Sequence, residues 1–397
     1  MRGRYIKVMD SLIDQIAAQH RQEYAAEPTV ICSAPGKIEL LGEHGESCQG
    51  YVLALAIDRR FYVAMSQRWD SFLCFYSDNL KEKKKFSINS LRHKKEDRWA
   101  NYIKRVFKEL VYRGYKLHGV SVTVSSEIPM GIGLGSSAAL TITAAYALKE
   151  LFRLDMTHEQ IIEVAMLVES ESMKLQESIS SLMVTCHAKE GHLCLIDAYS
   201  SEVEHLPFPS SSVSMIVTDS RVPETIGDEE KTRIDEACRE CMTTVGVSQN
   251  GGMVRNLTCN DLVGSVKGLS ERSRRICLHL ITENERIQEF RTALDDGMYD
   301  VAGRMLFSSH RSLRDNLEVS CPELDWLAKR GSETEGVYGS RMIGFGYGGS
   351  MITLLSSGKQ RHYEECLEEY DRIFGFKASI FPMTAGKGAI VHRTRFN

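Results

Sequence analysis

The sequence predicts an α+β protein with two domains, and three observations support that prediction. The chain has 397 residues, of which 43% are hydrophobic and 26% are charged, so it can bury two separate cores. Helical and strand patterns are mixed in both halves. Between the halves lies PFPSSS, which is rich in proline and serine and is the expected linker. We therefore expect an N-terminal domain over residues 1–207 and a C-terminal domain over residues 208–397.

The N-terminal half begins with a helix and continues with strands. MRGRYIKVMDSLIDQI has Val8, Leu12 and Ile16 at helical spacing. PTVICSAPGKIELLGEH then runs from a short strand into a Pro-Gly turn, and YVLALAIDRRFYVAMSQ resumes the alternation of a strand. Residues 81–98 are charged and have no apolar period. We expect a solvated excursion there.

A glycine-rich loop follows the strand GVSVTVSSEIP and precedes an alanine-rich helix. Gly131, Gly133 and Gly135 let the backbone bend tightly, and the helix is expected to begin at Ser136 or Ser137. This arrangement directs unpaired backbone N–H groups and the positive end of a helix dipole at one point. The loop is therefore predicted to bind a phosphate. The alternative is a flexible connection between strand and helix.

The C-terminal half is predicted to be mostly helical from Pro207 to about Leu317. A second glycine cluster, in GSRMIGFGYGGSMITLL, then enters a strand. GFGYGG fits the pattern G-x-G-x-x-G, but a dinucleotide site requires a helix after it, so that interpretation is weak. The chain also lacks the sequence G-x-x-x-x-G-K-[ST] of a P-loop.

Composition argues against several classes of function. The net charge of -4 disfavours a protein that binds nucleic acid. No run of about eighteen apolar residues predicts a membrane span, and the N-terminus lacks the apolar core of a signal peptide. The 11 scattered cysteines are typical of reduced thiols in the cytoplasm. We expect a cytoplasmic monomer or weak homo-oligomer that acts on small molecules, without nucleic-acid or membrane partners.

Three separated segments resemble, in order and spacing, the three signatures of the GHMP kinases, which include galactokinase, homoserine kinase and mevalonate kinase. APGKIELLGEHGESCQGYVL resembles the galactokinase signature, IPMGIGLGSSAAL the nucleotide loop, and GSRMIGFGYGGSMITLL the third motif. The similarity to galactokinases extends across most of the chain. It implies an N-terminal domain like domain 2 of ribosomal protein S5, a ferredoxin-like C-terminal domain, and an active site in the cleft between them.

The resemblance also implies a site for ATP and Mg²⁺. Ser137 and Glu169 would hold the metal, and Trp99 falls where galactokinases have an aromatic residue near adenine. The alternatives are a solvated helix position for Glu169 and a plain core position for Trp99. The positions that would bind the phosphates of ATP are Gly131, Gly133, Leu134, Gly135, Ser136 and Ser137.

The catalytic positions depart from the family pattern. Galactokinases place an Asp close to an Arg, and here these positions are Ser181 and Lys37. Lysine keeps the positive charge but lacks the planar fork of arginine. A general base contributes about 10² to 10⁴-fold to a rate, whereas positioning and charge neutralisation supply most of the acceleration in phosphoryl transfer. The missing Asp therefore lowers the expected activity without excluding it.

The acceptor positions are also altered. The family's Asn in the first motif is Glu39, its sugar-binding Asp is Glu46, and Phe345 replaces a glycine in the third motif. The acidic residues of the first motif, together with His44, could supply a substitute proton acceptor. The positions expected to bind the acceptor are Glu43, His44, Glu46, Lys231, Phe345 and Gly346.

Two functions follow from this pattern. The first is a galactokinase-like sugar kinase that transfers the γ-phosphate of ATP to galactose or a related small sugar or polyol. The second is a catalytically inactive galactokinase-like sensor or regulatory protein that binds nucleotide or sugar. Residues expected at ATP and magnesium are largely kept, and residues expected at the sugar are largely changed. This favours a working nucleotide site with altered acceptor chemistry.

Overall fold

The computed structural model of the protein describes residues 2–173, 179–225, 228–246, 254–260 and 268–394. Two β-sheets with helices packed against them make up this part of the chain. The strands are β1 (Val30–Leu41), β2 (Tyr51–Gln67), β3 (Phe72–Ser77), β4 (Glu82–Ser87), β5 (Val120–Ser126), β6 (His192–Asp197), β7 (Glu202–Pro207), β8 (Val213–Asp219), β9 (Val337–Ile343), β10 (Ser350–Ser356), β11 (Ser379–Met383) and β12 (Ile390–Thr394). The helices are α1 (Arg2–Tyr24), α2 (Ala100–Tyr112), α3 (Ser136–Phe152), α4 (His158–Met173), α5 (Ile179–His187), α6 (Asp228–Cys241), α7 (Glu271–Asp295), α8 (Tyr299–Ser312), α9 (Pro322–Glu333), α10 (Gln360–Cys366) and α11 (Glu369–Phe374).

The first sheet has the strand order β12-β1-β2-β5-β3-β4, with β6 paired to β2 and β7 paired to β6. Its pairs are antiparallel except β3 with β5, which are parallel. Helices α2 to α5 pack together, and α3 lies directly on β1 and β2. Helix α3 is apolar on nearly every face and its residues from 138 to 148 are buried, as expected for a helix enclosed on all sides. This burial fixes the direction in which its N-terminus points.

The second sheet is antiparallel with the order β11-β8-β10-β9. Helices α8 and α9 pack on β9, and α7 packs on α8. One hydrophobic cluster joins this sheet to the first, and it contains Ile38 of β1, Leu134 of the glycine-rich loop, Ile287 of α7 and Ile343 of β9. The first motif, the glycine-rich loop and the end of β9 are therefore held against one another.

The chain changes from the first sheet to the second between β7 and β8, near the expected linker. Strand β12 then returns to the first sheet and pairs with β1. The fully buried Arg60 supports this return, because its guanidinium donates to the carbonyl oxygens of Lys387 at 2.6 Å and Gly388 at 2.8 Å. The domain boundary between residues 207 and 208 stays a prediction. Strand β12 does not follow this boundary, because it belongs to the C-terminal part of the chain but pairs in the first sheet.

Two expectations about secondary structure are wrong. Residues 82–87 form β4, which pairs with β3 at the edge of the sheet, although a solvated excursion is expected there. An edge strand needs few apolar residues, and the stem of Lys85 covers the ring of Phe72, with the ammonium 4.0 Å from its centroid. The Pro-Gly turn expected after a short strand is also wrong, because β1 continues through Pro35 and Gly36, where its register with β2 shifts. The described part of the stretch from Pro207 to about Leu317 is mostly helical, as expected, and also contains strand β8.

The expectations drawn from composition have mixed outcomes. The prediction that all thiols are reduced is wrong at one pair, because Cys241 of α6 and Cys277 of α7 form a disulfide in the buried core. Within the described part of the chain, no helix combines the length and apolar character that crossing a membrane requires. The cytoplasmic location stays a prediction.

Candidate active site

The glycine-rich loop has the backbone geometry of an anion site. Gly131, Gly133 and Gly135 have φ angles of 74°, 78° and 66°, a left-handed conformation that strongly favours glycine. Gly135 is the N-cap of α3, which begins at Ser136 as expected. Because glycine has no side chain to cap the helix, the amides of Ser136 and Ser137 are left for another acceptor. Within the described residues, no hydrogen bond from elsewhere in the chain reaches them.

The third motif lies against this loop. A Cβ built on Gly133 would be 3.5 Å from the Cα atom of Gly344. A Cβ on Gly346 would approach the carbonyl oxygen of Val319 to 2.4 Å, and Gly346 also has a φ of 114°. Space and conformation therefore both require glycine at 346. Strand β10 begins at Ser350, directly after the motif, which confirms that a strand and not a helix follows.

Glu169 is buried beside the helix that carries the serines. It is 0% exposed, so the alternative of a solvated helix position is wrong. Thr141 Oγ1 donates a hydrogen bond of 2.5 Å to its carboxylate. Thr141 follows Ser137 by four residues, so both side chains lie on one face of α3, one turn apart. A hydroxyl and a carboxylate are the hard oxygen donors that magnesium prefers. The two predicted metal ligands thus lie on neighbouring elements with suitable chemistry.

Trp99 lies at the start of α2 in the wall of the N-terminal core. Its indole N–H donates to Glu82 at 2.8 Å, and its ring centroid is 6.2 Å from that of Phe75. The side chain is partly buried against the core cluster. These contacts fix the orientation of the indole ring, and its contact with adenine stays a prediction.

Lys37 lies between the glycine-rich loop and the acidic residues of the first motif. A Cβ on Gly135 would be 2.8 Å from Lys37 Cγ, and the Lys37 amide donates to the carbonyl oxygen of Leu134 at 3.0 Å. Its ammonium group forms a salt bridge with Glu39, and the two side chains are only 13% and 9% exposed. A cation and a carboxylate are therefore paired beside the loop.

Two glutamates of the first motif have opposite pKa shifts. Burial favours the neutral form of Glu39, but the charge of Lys37 and its hydrogen bond outweigh burial and lower the pKa of Glu39. Burial and then the negative charge of Glu39 raise the pKa of Glu43, although Arg341 opposes the rise. Of the two glutamates, Glu39 is therefore the one that is more readily ionised.

Arg341 connects the two sheets at the site, and it is missing from the residues predicted from the sequence. It is fully buried in β9 and donates to Glu43 Oε2 at 2.6 Å and to the carbonyl oxygen of Leu40 at 2.9 Å. Glu283 of α7 lies 3.8 Å from Arg341 and accepts a 3.0 Å hydrogen bond from the amide of Gly42. The available signal was an arginine inside an otherwise apolar strand, which requires a buried partner.

Phe345 stands beside the residue that matches a sugar contact of the family. Its ring meets the ring of His44 edge-on, with centroids 6.2 Å apart. The amides of Phe345 and Gly346 donate to the carboxylate of Glu224, in the loop after β8. No sequence pattern marks Glu224. The aromatic ring narrows the space next to His44.

The remaining predicted residues are Glu46, in a short 3₁₀ helix (Glu46–Cys48), Ser181 in α5 and Lys231 in α6. Glu46 accepts hydrogen bonds from the hydroxyl of Ser180 at 2.7 Å and from its amide at 3.3 Å, which places the first turn of α5 beside the first motif. Ser181 lies in that turn and is 6% exposed. Lys231 lies in α6, but its side chain is outside the described residues, and its contact with the acceptor stays a prediction.

Comparison with family models matches two regions of the chain. Residues 101–187 match the GHMP kinases N terminal domain, and residues 18–67 match the galactokinase galactose-binding signature. The first region includes the glycine-rich loop, α3 and Glu169. The second includes Lys37 and the acidic residues of the first motif.

Individual relatives are similar over nearly the whole chain. A protein of Treponema pallidum, provisionally named a galactokinase, is 33% identical over 386 residues, which are 96% of each chain. The galactokinase of Thermotoga petrophila is 32% identical over 356 residues, covering 89% of this chain and 98% of its own.

Solved structures share the fold. The structure of Lactococcus lactis galactokinase complexed with galactose has a TM-score of 0.88 at 23% identity, covering 96% of this chain and 99% of that one. Methanococcus jannaschii mevalonate kinase has a TM-score of 0.65 at 19% identity, covering 90% and 99%. These matches confirm the predicted α+β class and the two-domain GHMP kinase fold.

Proposed function

Because this chain belongs to the galactokinase branch of the GHMP kinase family, we propose that it transfers the γ-phosphate of ATP to a hydroxyl of galactose or of a related small sugar or polyol. The observation that best supports the proposal is the position of Lys37. Its stem lies against Gly135 of the phosphate loop, and its ammonium group pairs with a carboxylate of the first motif. A donor loop and polar groups suited to an acceptor thus share one site.

The ATP site in this proposal is formed by the loop and α3. Amides from 133 to 137 bind the phosphates, where the helix dipole and the absent side-chain cap favour an anion. Ser137 and Glu169 hold Mg²⁺, whose charge, when it is bound, neutralises the triphosphate. Lys37 adds a positive charge next to Gly135. Trp99 forms the wall near the adenine.

The acceptor site in this proposal combines kept and altered residues. Glu43 and His44 contact the sugar hydroxyls, Glu46 and Lys231 border the sugar, and Phe345 restricts its size. Transfer proceeds through a loose transition state, so holding the hydroxyl in line with the γ-phosphate supplies most of the acceleration. The side chain at Ser181 is a hydroxyl where the family has a carboxylate.

A coupled assay of ADP release tests the proposal. With Mg-ATP and a panel of sugars and polyols that includes galactose, we expect ADP to accumulate faster with at least one acceptor than with water alone. The phosphorylated product should be recovered in equal amount. If no acceptor raises ADP release above the rate with water, the proposal is wrong.

A second candidate, an inactive sensor of nucleotide or sugar, is supported by Ser181 and Phe345. Ser181 lacks the carboxylate of the family, and the ring of Phe345 lies against the ring of His44. Calorimetry distinguishes the two functions. Binding of ATP or sugar without turnover on any acceptor favours the sensor, whereas steady ADP production contradicts it.

A further inference from the structure

We propose that Glu39 is the proton acceptor of this site and takes the place of the carboxylate that is missing at Ser181. The inference rests on the proposed kinase function and assigns one step of it, proton removal from the acceptor, to a single residue. Glu39 lies on β1, two residues after Lys37, and is 8% exposed. The family pattern does not assign this role to the position of Glu39, because galactokinases have an Asn there.

The position of Glu39 relative to the phosphate loop is set by Lys37. The stem of Lys37 passes over Gly135, at 2.8 Å from the site of a Cβ, and its ammonium group ends on the Glu39 carboxylate. One lysine side chain therefore separates this carboxylate from the start of α3. In the proposed arrangement, the acceptor hydroxyl binds beside Lys37, with the γ-phosphate at the loop on one side and the Glu39 carboxylate on the other.

The carboxylates near the site differ in the groups that hold them. Glu39 pairs with Lys37, a long side chain whose charge is also suited to the phosphates. The other glutamates described at the site bind a buried guanidinium, a backbone amide or a hydroxyl on a helix. These are Glu43 with Arg341, Glu46 with Ser180, Glu169 with Thr141, Glu224 with Phe345 and Gly346, and Glu283 with Gly42.

The step balances without an additional reactant. The acceptor O–H bond breaks and its proton passes to Glu39 Oε, while the hydroxyl oxygen forms a bond to the γ-phosphorus atom. The bond between that phosphorus atom and the β–γ bridging oxygen breaks, and ADP leaves with the electron pair. Lys37 keeps Glu39 in its ionised form before the step, and Glu39 returns the proton to solvent afterwards.

Substitution of Glu39 tests the inference in the full chain, with the acceptor found in the ADP assay. Glu39→Gln should lower kcat by about 10²-fold or more, because an amide cannot take up the proton. The KM for Mg-ATP should stay within about twofold, because the amide oxygen can still accept the hydrogen bond of Lys37. Glu39→Asp should recover part of the loss. Glu204→Gln, an exposed carboxylate paired with Arg291, should behave like the unmodified protein.

A relocation experiment separates catalysis from structure. The double variant Glu39→Gln/Ser181→Asp should have a kcat at least about tenfold higher than that of Glu39→Gln alone, because a carboxylate returns to the family position. Thermal unfolding of each variant shows whether it folds. If Glu39→Gln keeps kcat within about threefold, the inference is overturned and the kinase function stands. If the unmodified chain releases no ADP with any acceptor, both fail.

Discussion

Gly131 and Gly135 show how much of the proposed nucleotide site depends on single residues. Both have left-handed backbone, which costs an L residue with a side chain about 1–2 kcal/mol. Their surroundings differ, because a Cβ at Gly131 meets no atom within 4 Å, whereas a Cβ at Gly135 meets Lys37 Cγ at 2.8 Å. Gly135→Ala should therefore displace Lys37 and weaken Mg-ATP binding by about tenfold more than Gly131→Ala does.

Calorimetric titration with Mg-ATP measures this difference directly. The two variants share the backbone strain, so the gap between their dissociation constants reports the Lys37 contact. Equal losses would show that Lys37 does not shape the bound phosphate site.

Local sequence was sufficient for this loop but not for its partners. The glycines, the serines and the start of α3 are adjacent in the chain, so the pattern of strand, turn and helix could be recognised. Glu43 and Arg341 are 298 residues apart, and Glu224 is 121 residues from Phe345. No local pattern links such residues, because their contact depends on how the two sheets pack.

Helix α1 depends on a buried histidine at its attachment to the first sheet. His20 is 0% exposed and bonds Thr123 of β5 at 3.0 Å and Ser66 of β2 at 2.9 Å. Burial lowers the pKa of His20 to about 4, from 6.5. The unfolded chain therefore binds a proton more readily than the folded chain below pH 6.5, and stability falls as the pH falls towards 4. His20 should cost about 2 kcal/mol at pH 5 relative to pH 7.

Unfolding by urea at pH 7 and pH 5 checks this expectation. His279 is buried and His392 is half-buried. Burial lowers the pKa of both, so they add to the loss in the unmodified chain. His20→Gln should remove about 2 kcal/mol of the difference between the two pH values, whereas the exposed His362→Gln should leave it unchanged. An unchanged difference in His20→Gln would mean that His20 does not titrate in this window.

The elements differed in how well local patterns predicted them. Strands β2 and β5, which have clear apolar alternation, and the alanine-rich helix α3 agree with the prediction. Strand β1 is longer than predicted, because it continues through Pro35 and Gly36. Strand β4 was missed because an edge strand pairs through its backbone and needs little apolar surface. The same physical reason explains β12, whose place in the first sheet is supported by the long-range bonds of Arg60.

The whole molecule forms its candidate site where two sheets meet. From the first sheet come the phosphate loop, Lys37 and the first motif, and from the second come Arg341 and the third motif. The contact between Gly133 and Gly344 and the ion pair of Arg341 with Glu43 both cross this boundary. The acceptor side of the site is therefore sensitive to single residues of the second sheet.

On the acceptor side of the site, substitution of Phe345 has the clearest expected effect on sugar binding. Phe345→Gly restores the family residue and removes the ring that stands 6.2 Å from His44. Because steric contacts of this size change affinity about tenfold or more, the KM for galactose should fall by about tenfold. The KM for Mg-ATP should stay within about twofold, since the Phe345 amide remains. Steady-state kinetics with both substrates compares the change in the KM for galactose with the change in the KM for Mg-ATP. An unchanged KM for galactose would place the acceptor away from His44.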